Sequence, residues 1–251
     1  MINNETEKDI VYRYRFAFDD KTEKKFIVRL DYQTLDLIED KRYKYPDWGL
    51  LENFQCPNCT LDSGKNTYCP VIIQIADVIE EFRDSESMET VDVYIDSESG
   101  QFYKRTSLHD GIKALIGILM VSTGCPILSK LKPMVRIHLP FANLRERKYR
   151  VLTMYLLAQY FVEKWGGEPD WNFNDLVNIF NDVSTLNRYF CDKLNKMLVK
   201  DATINAIISL DAFAFYTSMH ITKNMLNVLE DSFKPYLGTH ERRHGKRKKK
   251  W

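Results

Sequence analysis

The chain has no apolar run near the ~18 residues that a membrane-crossing helix needs, so no transmembrane span is expected. Its first ten residues, MINNETEKDI, are polar and charged, so no signal peptide is read there. The expected compartment is the cytoplasm. A Gly-rich phosphate loop, a G-x-S-x-G and an H-E-x-x-H are all missing, which removes the usual marks of nucleotide hydrolases, serine esterases and zinc peptidases. With 10 glycines and 8 prolines in 251 residues there is no Gly/Ser/Pro linker, and no internal repeat is found. Excess charge of one sign is also lacking, since 36 Lys/Arg face 35 Asp/Glu. The last twelve residues, His240 to Trp251, hold seven Lys/Arg and one Glu, so the rest keeps 29 against 34. A mildly acidic body argues against a nucleic-acid groove in the fold itself.

What is present suits a globular protein. Hydrophobic residues are 44% and charged residues 28%, enough for a real core in one large domain or two small packed ones. Ile10 to Phe18 alternates, with Tyr12, Tyr14, Phe16 and Phe18 on one face. Asp19 to Thr22 is turn chemistry, and Lys25 to Leu30 alternates again, so a hairpin is expected. A short helix or turn follows at 31–40. Val71 to Phe82 carries a helical stripe opened by Pro70. Val91 to Asp96 and Gln101 to Thr106 read as a second hairpin. Ser107 is placed to cap a helix over 108–122, which Gly124 ends.

From Asn143 onward the sequence reads helical, with helices over 145–165, 172–181, 185–198 and 201–233. The predicted class is α+β: a small antiparallel sheet of two hairpins with helices, packed on a C-terminal helical bundle. The expected halves are 1–124 and 125–235, followed by a disordered basic tail at 236–251.

Five cysteines in such a chain point to metal or redox chemistry before disulfides. Cys56-Pro57-Asn58-Cys59 is a C-x-x-C, whose two-residue spacer lets both sulfurs turn to one side. Cys69 follows after nine residues, and Cys125 after another 55, just past a helix end. Thiolates suit zinc, iron–sulfur clusters and Cu(I). The expected metal ligands are Cys56, Cys59, Cys69 and Cys125. A closed zinc site is read first, because one ion would pin three loops. An iron–sulfur cluster is the alternative, since Cys-Pro is common in ferredoxin-type runs. A thiol–disulfide oxidoreductase fits less well, because a loop rather than a helix follows the pair. Cys191, alone in a helix, reads as packing.

Among other residues, His138 is a possible substitute ligand or a group behind the ligands, against the plainer reading of a hydrogen-bonded core histidine. Arg147, Arg150 and Gln159 lie on one long helix. Asp201 and Asn205 repeat four apart on another, with Asn187 and Arg188 placed to meet them. They form either an interhelical polar network or the lining of a pocket; the network is preferred, as no activated nucleophile stands among them. The tail from Arg242 to Lys250 is a possible contact for nucleic acid or an anionic surface, or simply a solvated charge run.

Taken together, CPNCTL, CPV, TGCP, HLPFA, YLLAQY and the Pro-Asp-Trp at 169–171 resemble an uncharacterised bacterial family, a domain of unknown function with the pattern CPNCPL…CPV…SGCP…PM…HLPF…YLLAQYF…DW. The resemblance spans roughly residues 11–233. It implies that Cys56, Cys59, Cys69 and Cys125 belong together with His138 nearby, and it leaves Cys191 out. The chain departs from the pattern at Thr60, Thr123 and His109. The family brings no activity. The expected function is therefore a metal-stabilised, non-catalytic binding or regulatory module whose partner is an unspecified protein or small molecule. An iron–sulfur redox or sensor protein is the first alternative. An enzyme using a pocket in the helical bundle is the second.

Overall fold

The computed structural model describes residues 9–38, 45–197, 200–220 and 223–244. Strands β1 (Ile10–Phe18), β2 (Glu23–Leu30), β3 (Thr90–Ser97) and β4 (Gly100–Ser107) form one antiparallel sheet in the order β2-β1-β3-β4. The two hairpins meet along β1 and β3, where Tyr14 faces Ile95 and Phe16 faces Val93. The period of two puts Tyr12, Tyr14 and Phe16 on the buried face with Val91, Val93 and Ile95. The opposite face is a charged and aromatic ladder. Arg105 bridges Asp92 and Asp19, and Arg15 lies over the Tyr94 ring at 3.9 Å. The first hairpin turns at Lys21, whose φ is 72°, while Asp20 Oδ1 accepts from the Thr22 amide at 2.8 Å.

Helix α1 (Leu51–Phe54) is one turn. Helix α2 (Pro70–Glu81) buries Val71, Ile72, Ile75, Val78 and Ile79, and Phe82 beyond it meets the rings of Phe16 and Phe26. Helix α3 (Leu108–Val121) lies across β3 and β4 on one side and against α6 on the other. Burial on both sides explains why it is apolar nearly all round. Its closest approach to the sheet is Gly111, where a Cβ would stand 2.8 Å from both Phe16 Cε1 and Val93 Cγ2. Ser107 stands at the N-cap but its side chain makes no cap bond. Instead, the Leu108 and His109 amides donate to the carbonyls of Glu89 and Ser87, which satisfies two of the amides a helix start leaves open.

A 3-10 segment (Leu128–Ile137) leads to α4 (Leu144–Lys164), which starts at a complete capping box of Asn143 and Glu146. Helices α5 (Asn174–Asn195) and α6 (Asp201–His220) pack as a pair against α3. Helix α7 (Lys223–His244) follows.

Two expectations are corrected. The helices read over 172–181 and 185–198 are one helix, α5. The polar run Asn181-Asp182-Val183-Ser184 finds tertiary partners in place of a break: Asn58 donates to Asp182, and Ser184 Oγ donates to Asp211 at 2.5 Å. Helix is described over 201–220 and again over 223–244, and residues 221–222 of the expected helix lie outside the described residues. Helix α7 also carries helical backbone through 236–244, which composition had placed in a disordered tail; residues 245–251 lie outside the described residues. One hydrophobic core runs from Tyr12 on the sheet to Ala214 on α6.

Candidate functional site

The first site is built by two loops, 50–69 and 122–128. Tyr68 bridges Leu50, the Leu51 amide donates to the Thr67 carbonyl, and the Cys69 amide donates to the Gly49 carbonyl. These bonds close the 50–69 loop into a knuckle. Within it the Cys59 amide donates to the Cys56 carbonyl at 2.9 Å, the tight turn that the C-x-x-C spacing predicts. Asn58 ties the knuckle to α5 by donating to the backbone carbonyl and to Oδ1 of Asp182, both at 3.1 Å. Cys69 stands at the N-cap of α2 without a side-chain cap bond, and the nearby amides of Ile72 and Val71 offset part of the rise that burial gives its thiol. Cys125 stands at the entry to the 3-10 segment, where the amides of Ile127 and Leu128 do the same. Thr123 Oγ1 accepts from the Cys125 amide at 3.3 Å, so the departure from Ser at that position keeps the useful hydroxyl.

Cys56, Cys69 and Cys125 are buried, and Cys59 is half-buried. Each of the six pairings among the four cysteines is within electrostatic reach. Burial first, then the neighbouring sulfurs, pushes the Cys56 thiol up to about 12, and burial pushes Cys69 up to about 11 and Cys125 upward. Such thiols stay protonated near neutrality until a metal displaces the proton. All five cysteines are free. Among the described residues, no three His, Cys, Asp or Glu side chains are gathered so as to hold one metal ion. Cys191 stands apart on α5, next to Asp211 and Asp192.

His138 is placed elsewhere. Its Nε2 lies 2.6 Å from the Tyr14 hydroxyl, which is also 3.2 Å from the Ala114 carbonyl oxygen. One hydroxyl proton serves both contacts when Nε2–H donates to Tyr14 and Tyr14 donates to Ala114. Burial, then the charge of Arg150, lowers the imidazole to about 3, so it is neutral. It fits the plainer expectation of a hydrogen-bonded histidine.

His138 also borders the second site, a cavity of about 440 Å³ between the sheet half and the helical half. Arg147 and Arg150 of α4 and Asn187 of α5 line it together. Sequence reasoning named those three but missed Lys104, Asp110 and Lys113, which reach the same cavity from β4 and α3. Asp110 and Lys113 pair at i,i+3 on α3, but no sequence spacing connects them to Lys104 or to α4; the packing of α3 does.

The remaining polar residues divide among structural tasks. Gln159 Oε1 accepts from the Asp170 amide at 2.8 Å, and Tyr155 donates to Asp170 Oδ2 at 2.8 Å, so this pair holds the 166–173 loop. Asp201 accepts from the amide and hydroxyl of Ser87 and from Asn205 Nδ2. Asp201 and Asn205 therefore tie α6 to the loop before β3. Arg188 pairs with Asp211.

Residues 11–234 match the family model described as Domain of unknown function (DUF6901), and the chain belongs to that family. No curated protein and no solved structure matches it. Among the described residues, no helix is long and apolar enough to cross a membrane.

Proposed function

We propose that Cys56, Cys59, Cys69 and Cys125 together bind an iron–sulfur cluster, and that this protein is a redox or sensor protein built around it. The observation that carries this reading is four free thiols brought from two loops, three of them buried and Cys59 half-buried, with Cys56 and Cys59 closed into one tight turn. A tetrahedral zinc site needs its sulfurs ~3.8 Å apart around Zn–S bonds of ~2.3 Å. A four-iron cluster spreads the same four sulfurs to roughly 6–7 Å, since each binds a different iron. Cys-Pro stands at 56–57, 69–70 and 125–126, a pairing common in ferredoxin-type runs, and this favours the cluster over the zinc ion.

The surroundings support the same assignment. The amides of residues 71–72 and 127–128 favour the charged forms of Cys69 and Cys125, and such donors stabilise negative charge on cluster sulfurs. When bound, the cluster would supply one-electron chemistry. The chain's own part is to hold four thiolates, exclude water with Phe54 and Ile127, and leave Cys59 partly open. That opening gives one edge a route for electrons or for an oxidant. Free thiols and this chemistry suit a reducing cytoplasm.

Anaerobic purification tests the reading. The expected product is brown, with broad visible thiolate-to-iron absorbance that falls on reduction with dithionite. A protein that stays colourless after anaerobic purification and after incubation with iron and sulfide would return the site to zinc and the protein to a metal-stabilised, non-catalytic module.

A further inference from the structure

We infer that the cavity between the two halves is a binding site for a small organic anion, a carboxylate or phosphate group on an apolar body. Its volume of about 440 Å³ is that of a small-molecule site. Four cationic side chains border it, Lys104, Lys113, Arg147 and Arg150, against one carboxylate, Asp110. Lys113 already pairs with Asp110. Among the described residues neither arginine makes an ion pair, and the charge of Asp110 reaches only Arg147. Arg150 donates one Nη2 bond to the Met134 carbonyl at 2.8 Å, and Arg147 lies 4.9 Å from the centre of the Phe213 ring. The Nε–H of each is buried without an acceptor.

This placement is costly without a ligand. A guanidinium taken out of water needs an anion or a full set of acceptors. Burial lowers both arginines, and the charge of Arg147 further lowers Arg150, as expected for like charges facing one space. The pair is three residues apart on α4, so both heads present to one side of the helix. Carboxylate and phosphate oxygens match such forks with charge-assisted bonds. Asn187 is 1% exposed and its Oδ1 has no partner, so a ligand hydroxyl or amide has an acceptor waiting there. The rest of the wall is apolar, with Phe141, Phe180 and Phe213 among its residues. An inorganic anion would leave that wall unfilled, and a neutral apolar molecule would leave the arginines unpaired. An anion on an apolar body satisfies both.

The inference does not depend on the metal, and its test reads ligand heat rather than colour. The purified full-length protein is titrated calorimetrically with phenyl phosphate, benzoate, inorganic phosphate and benzyl alcohol. At least one aromatic anion should bind ~10-fold or more tightly than both benzyl alcohol and inorganic phosphate. The better of the two names the headgroup. Arg147→Gln and Arg150→Gln should each weaken that binding by ~10-fold or more, with the circular dichroism spectrum unchanged. Should Arg150→Gln unfold by freeing the Met134 carbonyl, the wild-type comparison and Arg147→Gln still decide. Equal binding of benzyl alcohol, equal binding of inorganic phosphate, or no saturable heat from either aromatic anion overturns the inference.

Discussion

The Tyr14 hydroxyl, on the buried face of the central strand, meets His138 Nε2 at 2.6 Å. This contact joins the sheet to the segment that enters the helical half, and it holds a neutral imidazole. Burial and Arg150 lower His138 to about 3 from its ordinary 6.5. The unfolded chain takes up a proton that the native state refuses. The contribution of this group is therefore fully present above the unfolded value and is lost as pH falls from about 6.5 toward 3. Between about pH 6.5 and 5 the carboxylates stay ionised, so the histidine dominates there. Urea midpoints should fall through that window in the wild type and stay flatter in His138→Gln. Identical slopes in the two proteins would rule the histidine out as the cause.

At Gly111 the helix touches the sheet with no room for a methyl group, since Phe16 and Val93 carbons would lie 2.8 Å from it. Gly111→Ala should cost ~1–3 kcal/mol through overpacking, despite alanine's better helix propensity. Chemical denaturation measures this directly. A gain in stability would mean that α3 lies farther from the sheet than described.

Asp201 holds the buried Ser87 by both its amide and its hydroxyl, at 2.8 and 2.9 Å. Asp201→Ala strands those donors and should cost ~1–3 kcal/mol. Hydrogen exchange should speed up at the Ser87 amide and at the start of α6. Unchanged protection there would show that the contact does not form in solution.

Cys125 and Cys191 separate the site from the core. Cys125→Ser should sharply reduce bound iron, because it removes the one ligand contributed by the loop after α3. Cys191→Ser should keep full iron while losing modest packing energy, as this thiol is buried in the core with the Ile204 carbonyl at 3.9 Å. Equal iron in both variants would remove Cys125 from the ligand set.

Much of the fold is legible in the residues. Tyr12, Tyr14 and Phe16 announce their strand by strict alternation, and the stripe from Val71 to Phe82 announces α2. Local pattern fails where tertiary partners override it. The Asn181–Ser184 run looks like a break only until Asn58 and Asp211 are in place to bond it. Half of the cavity was visible, as Arg147, Arg150 and Asn187 are polar residues within apolar helices. The other half was not, because Lys104, Asp110 and Lys113 look like ordinary surface charge until α3 is packed. The cysteine spacing pointed to one shared centre but is silent on its size. That depends on how the 50–69 loop and the 122–128 loop approach each other.

The central claim is tested most directly by counting iron, acid-labile sulfide and zinc per chain in anaerobically prepared protein. A four-iron cluster predicts about four irons and about four sulfides per chain with little zinc. About one zinc per chain, with neither iron nor sulfide even after reconstitution, would contradict it.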